Sequence, residues 1–146
     1  MGTAQASDYL ENAIIDQWFR TRTVAKPAAL YLALFTAAPS DAGGGTEVTG
    51  GSYARVNLAP LDANWAATQG GGVGNSSGTG GGTSNLAAIT FPAPTANWGT
   101  VTHFGIFDAL TGGNLLIWDA LTASRTILSG DPAPAFAVGA ITITVG

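Results

Sequence analysis

The chain has 146 residues, 46% of them apolar, and only 10% are Asp, Glu, Lys or Arg, against about 25% in soluble domains generally. That length suits one domain with a real hydrophobic core. With a net charge of −4, five cationic residues and no cysteine, the chain lacks the basic footprint that neutralises nucleic-acid phosphates, and it has no thiols for disulfides or thiolate metal sites.

Arg20, Arg22 and Lys26 are the only cations close together. No apolar run reaches the ~18–20 residues that span a bilayer, so neither nucleic acid nor membrane is an expected partner. The opening "MGTAQASDYLENAII" has no basic n-region and no unbroken apolar stretch. Ala6 stands where a myristoylation signal wants Ser or Thr. The expectation is a protein that does not cross a membrane by a signal of its own. Low charge beside ample apolar content points to a surface that meets other protein.

In chain order, Ser7 is a predicted N-cap before "DYLENAIIDQWFRTR". Asp8 and Glu11 fall in the first turn and Arg20 and Arg22 at the other end, both as the helix dipole favours. Leu10, Ile14, Trp18 and, to one side, Ile15 make an apolar stripe at helical spacing. This predicts one amphipathic helix over 8–21, ended by Lys26-Pro27. "AALYLALFT" (28–36) is apolar on both faces, as a doubly buried strand is. Residues 37–51 read as a long loop or loose hairpin, 52–61 as a strand whose alternation fails at Pro60, and 63–85 as a flexible Gly/Ser-rich loop. A strand follows at 86–94. Within 100–128, "DALTGG" joins two apolar runs as a hairpin turn, with Gly112-Gly113 supplying positive φ. In "PAFAVGAITITVG" (134–146), Ile141, Ile143 and Val145 are expected to face in, Thr142 and Thr144 out. Short strands between Gly/Pro turns predict a mainly β fold: one compact antiparallel β-sandwich or barrel carrying the helix.

Candidate chemistry is sparse. His103 and Asp108 point to opposite sides of a regular strand, and no nucleophile elbow accompanies them, so His103 reads as structural and no catalytic residue is assigned. "GGGVGNSSGTGGGT" has no lysine and no following helix, both of which a phosphate loop needs. Asp41, Glu47, Asp62, Asp108, Asp119 and Asp131 lack calcium-loop spacing. The carbonyls of 37–51 with Asp41 and Glu47 are the one arrangement that could hold a cation, and no cofactor or metal is assigned. Of the four tryptophans, Trp65 and Trp98 sit beside loops and are expected to be exposed. With Leu10, Ile14 and Trp18 they are the candidate interface residues.

Three blocks carry a resemblance: "SDYLENAIIDQW", "LYLALFTAAPSDAGGGTEVTGGSYARV" (30–56) and "FPAPTANWGTVTHFGIFDALTGGNLLIWDALTASRTILSGD" (91–131). Together they resemble a family of short tailed-bacteriophage virion proteins often labelled tail fibre protein, over nearly the whole chain. The resemblance implies a structural component of a virus particle with no catalytic residues. A fibre shaft needs an elongated repeat or coiled coil, and the chain has neither. It suits a capsid cement or decoration protein on the outside of the head, bound to the major capsid protein or another virion protein and homo-oligomeric, with a trimer favoured. The alternative is a tail-associated receptor- or carbohydrate-binding protein. Helix 8–21 and loops 37–51 and 63–85 are the expected contact elements.

Overall fold

The computed structural model describes residues 4–145. The elements run β1 (Gln5–Ala6), α1 (Asp8–Phe19), β2 (Tyr31–Ala37), β3 (Thr46–Glu47), β4 (Val56–Asn57), β5 (Gly82–Ser84), β6 (Ile89–Thr90), β7 (Gly99–Phe107), β8 (Leu115–Ile127), β9 (Ala135–Phe136) and β10 (Thr142–Thr144). The fold is mainly β with one helix near the N-terminus, and the strand pairings are antiparallel.

One sheet dominates. Its order is β1-β8-β7-β2-β3, with β4 also on β2. Two short ribbons, β5 with β10 and β6 with β9, complete the fold. The β2–β7 register pairs Leu32 with Ile106 and Leu34 with Phe104 on one face, and Tyr31 with Phe107, Ala33 with Gly105 and Phe35 with His103 on the other. Leu32, Leu34, Phe104 and Ile106 join Ile89, Phe91, Trp98, Val101, Ile127 and Ile141 in the core. The opposite face is filled as well: Ala33 and Phe35 are fully buried, and Phe35 stacks on Phe107. β2 is therefore apolar on both faces because it is buried on both faces.

The hairpin turn forms as its residues require. Asp108 accepts the Asn114 N–H at 2.7 Å and the Asn114 side-chain amide at 2.8 Å. Gly113 has φ 71°, and a Cβ there would sit 2.6 Å from that of Ala109. Beyond it, the β7–β8 register shifts by one residue at Leu116, between Phe107 opposite Leu115 and Ile106 opposite Ile117, holds to His103 opposite Ala120 and resumes at Val101 opposite Arg125. Residues 121–124 of β8 thus stand across from Thr102 alone, a bulge that bends the strand.

Several expected strands are shorter than the sequence suggests. Of 52–61 only Val56–Asn57 pairs, since Ser52 takes φ 65° and Pro60 has no N–H to give a ladder. Of 86–94 only Ile89–Thr90 pairs, for Pro92 and Pro94 impose the same limit. The last segment is split, with Ile141 fully buried, Ile143 half-buried and Val145 69% exposed, so Val145 does not face in as expected.

One polar residue ties the second layer together. Asn85 is fully buried. Its side-chain amide donates to the carbonyls of Ala87 and Ala137, both at 2.9 Å, and its oxygen accepts the Ile141 N–H at 2.8 Å. Its backbone bonds Ile141 and Gly139 as well. Losing such a side chain strands buried partners. We therefore expect Asn85→Ala to lower unfolding free energy by roughly 2–4 kcal/mol in chemical denaturation, and a loss below about 0.5 kcal/mol would contradict this role.

Candidate interaction surface

The N-terminus of α1 is fixed firmly. Ser7 is 1% exposed. Its oxygen accepts the Leu10 N–H at 3.2 Å while its hydroxyl donates to the Leu115 carbonyl. The Ser7 N–H reaches the Leu116 carbonyl and the Asp8 N–H the Asp41 carbonyl, each at 2.9 Å. The cap read from sequence is thus also a bolt onto β8.

The rest of the helix leaves the body. It ends at Phe19, two residues short of the expected 21, and none of its residues is buried. The apolar stripe does not turn inward as one. Leu10 packs partly against the core, but Ile14 is 37%, Ile15 48%, and Trp18 and Phe19 each 77% exposed. Glu11, Ile14, Ile15 and Trp18 follow i, i+3, i+4, i+7 spacing and so share one face, while Leu10 and Ala13 lie on the half-buried side. A helix this short is marginal in water without packing.

Trp98 is not an exposed ligand platform. It is 5% exposed, donates its indole N–H to the Gly51 carbonyl at 2.9 Å and meets Tyr53 edge-on. Trp65 is half-buried against the core and donates to the Leu58 carbonyl. It lines a cleft of about 300 Å³ with Lys26, Leu61, Asp62, Ser76 and Thr83. The loop 63–85 that carries it is tied back by the Trp65–Asn85 bridge, by the Thr83 hydroxyl on the Ala66 carbonyl and by β5 on β10.

Of the groups considered for chemistry, His103, Asp108 and Asp41 have structural partners. His103 Nδ1 lies 2.8 Å from the Thr102 hydroxyl, and its ring centroid 6.1 Å from that of Trp118. Asp108 is occupied by Asn114 in the turn. Asp41 accepts the Trp118 indole N–H at 3.2 Å. Among the described residues no group of three or more His, Asp or Glu side chains is placed to hold a metal ion.

Glu47 belongs to a network that sequence reasoning missed. Arg55 meets both of its oxygens at 2.8 Å, donates to the carbonyls of Ala109 and Gly112 and lies 3.6 Å over the Phe107 ring. The Tyr53 hydroxyl donates to Glu47 at 3.0 Å and accepts the Leu34 N–H at 2.9 Å. One guanidinium thus joins the turn of β7–β8 to β3. A lone arginine in "SYARVN" carries no periodic signal that could have revealed this.

With the geometry in view, comparison with known families is decisive. Residues 5–144 match the model of the family described as Podophage GP4 fiber I protein gp80. The chain belongs to that family. No curated protein matches it. Membership makes this fibre-family protein a structural component of a phage virion, in agreement with the resemblance in its sequence blocks.

Two predictions concern the network. Arg55→Lys keeps the charge but loses the fork and the stacked plane, so we expect about 1–3 kcal/mol of destabilisation in denaturant melts. Burial raises the Tyr53 hydroxyl above its ordinary value of 10.0, the Leu34 N–H opposes this and the Glu47 charge adds to it. A folded-state value above the unfolded one means the contribution is complete below that ordinary value and is lost as pH rises through the folded one. The melting temperature should therefore fall above pH 10.0, and Tyr53→Phe should flatten that fall. An equal alkaline slope in both proteins would refute the assignment.

Proposed function

We propose that this protein is a non-enzymatic structural subunit of a podophage virion, held to its neighbours through the outward face of α1. The observation that carries this reading is a capped, fixed helix that shows Ile14, Ile15, Trp18 and Phe19 to solvent. Exposed Trp and Phe beside aliphatic residues are what an interface core contains. The family's fibre description favours a place on the tail, in a fibre or at its attachment. The compact body, with no elongated shaft among its described residues, favours a second reading as a decoration protein on the head, contacting the major capsid protein. In either place the helix gives the body a contact that needs no large charged patch.

Copy number in purified particles, measured by quantitative mass spectrometry against the major capsid protein, separates the two. A count far below that of the capsid protein supports the tail. A count close to it supports the head. Absence from the particle defeats both. Trp18→Asp should leave the melting temperature within about 2 °C of the parent while reducing incorporation. Unchanged incorporation would remove the helix from the contact.

A ligand role has one supporting observation, the cleft beside Trp65 with its polar rim of Lys26, Asp62 and Ser76. Carbohydrate recognition on the host surface suits an aromatic wall with hydroxyl-bonding groups around it. Trp65→Ala should then weaken attachment of the purified protein to host cells. Equal attachment would exclude this cleft.

A further inference from the structure

The β5–β10 ribbon has one closed edge and one open edge. Val145 donates its N–H to the Gly81 carbonyl at 2.9 Å, and the Ile141 carbonyl accepts the Asn85 N–H at 3.3 Å. Thr142 lies opposite Ser84 and Thr144 opposite Gly82. The alternation of an antiparallel ladder therefore turns the backbone groups of Ile141, Ile143 and Val145 toward β5 and those of Thr142 and Thr144 away from it. On the far side of β5 the Ser84 carbonyl accepts the Ala66 N–H at 2.9 Å, which covers that edge. Among the described residues β10 pairs with β5 alone, and both threonines are exposed.

Sheet edges are commonly blunted by a charge, a proline or a bulge. This one has none of the three. Residues 132–146 carry no charged side chain, ITITV (141–145) contains no proline, and its register on β5 is unbroken. Its residues are all β-branched and suit a strand, and Val145 is 69% exposed.

We propose that the open edge of β10 adds antiparallel to the same edge of a second copy of this chain, about a two-fold axis at Ile143. The order β5-β10-β10-β5 then forms one sheet across two molecules. The contact uses no residue of α1 and goes beyond the structural-subunit reading, because it assigns a separate surface.

The strand's own pattern selects a second copy. A two-fold axis at Ile143 sets Thr142 opposite the partner's Thr144, and Thr144 opposite the partner's Thr142. Every outward N–H and C=O of these threonines then finds a backbone partner. Threonine meets threonine on one face of the sheet, a favourable cross-strand pair, while Ile141 meets the partner's Val145 on the other. A shift of one residue would set outward groups against groups already bonded to β5. A shift of two would leave one threonine of each strand unpaired. The contact is isologous, so every group enters twice.

A strand pair this short buries less than the ~1,200–2,000 Å² of a standard interface. The free protein should associate weakly, with a Kd on the order of 100 μM, and many copies held on one particle raise the effective concentration.

The chain has no cysteine, so engineered thiols report the register. Under mild oxidation at about 1 mM protein, a mixture of Thr142→Cys and Thr144→Cys should form disulfide dimers, since opposed residues lie about 5.5 Å apart at Cα. Neither variant alone should, because its thiols are then diagonal and beyond the ~7 Å that a disulfide spans. Amide exchange gives a second readout. The Thr142 and Thr144 amides should slow about fivefold between dilute protein and ~1 mM. Thr144→Pro removes an outward N–H and no ladder bond to β5. It should melt within about 2 °C of the parent, and its Thr142 amide should exchange equally fast at both concentrations. Equal disulfide yield from either variant alone, no disulfide in the mixture, or a parent Thr142 amide indifferent to concentration each overturns the proposal. None of these outcomes touches the structural reading itself, which particle mass spectrometry tests separately.

Discussion

In the ladder of β2, β7 and β8, a slip of one residue would carry Leu32, Leu34, Phe104 and Ile106 out of the core and put Tyr31 and His103 in their place. The remaining structure assumes that this does not happen. The register is set at one end by the Asp108–Asn114 turn. It is reinforced from the side by Arg55, whose single guanidinium holds Glu47 of β3 and two carbonyls of the turn together. Hydrophobic burial supplies the bulk of the driving force, and these few directional contacts choose among the registers it would accept. β8 then offers its outer edge to β1, and the Ser7 cap can reach the Leu115 and Leu116 carbonyls only because β8 is in place. Placement of α1 is thus a consequence of the hairpin, many residues away in sequence.

Much of this was legible in the sequence, for local reasons. The apolar double face of 31–36, the Asp/Gly/Gly turn and the Ser7 cap each follow from residues that interact within a few positions. What failed to show was long-range. Pro92, Pro94 and the positive φ of Ser52 cut the predicted strands to two-residue pairings. Asn85 and Arg55 organise distant segments through side-chain hydrogen bonds, which leave no periodicity. The tryptophans show the same limit. Trp98 beside a loop reads as exposed, yet it is buried in the core, edge-on to Tyr53 and with its indole N–H on the Gly51 carbonyl.

The helix gives the most useful contrast. Its periodicity predicts an apolar stripe, and the stripe exists. Periodicity cannot say whether such a stripe meets the protein's own core or another chain, because both demand the same side chains at the same spacing. In the fold Leu10 packs against the core and Ala13 is half-buried, while Ile14, Ile15 and Trp18 are exposed. The low charge of the whole chain takes on a specific meaning beside this. On a body with so few charges, those near α1 stand out, Asp8, Glu11 and Asp16 preceding Arg20 and Arg22.

Hydrogen–deuterium exchange on purified protein diluted well below micromolar, set against the same protein in intact particles, tests the central claim most directly. A helix stabilised chiefly by contacts outside its own chain should exchange quickly over residues 8–19 when dilute and become protected in the particle. The amides of β2 and β7 should be protected in both. Protection of α1 equal to that of β2 in the dilute protein, or fast exchange of α1 in the particle, would contradict the claim that this helix is an interface.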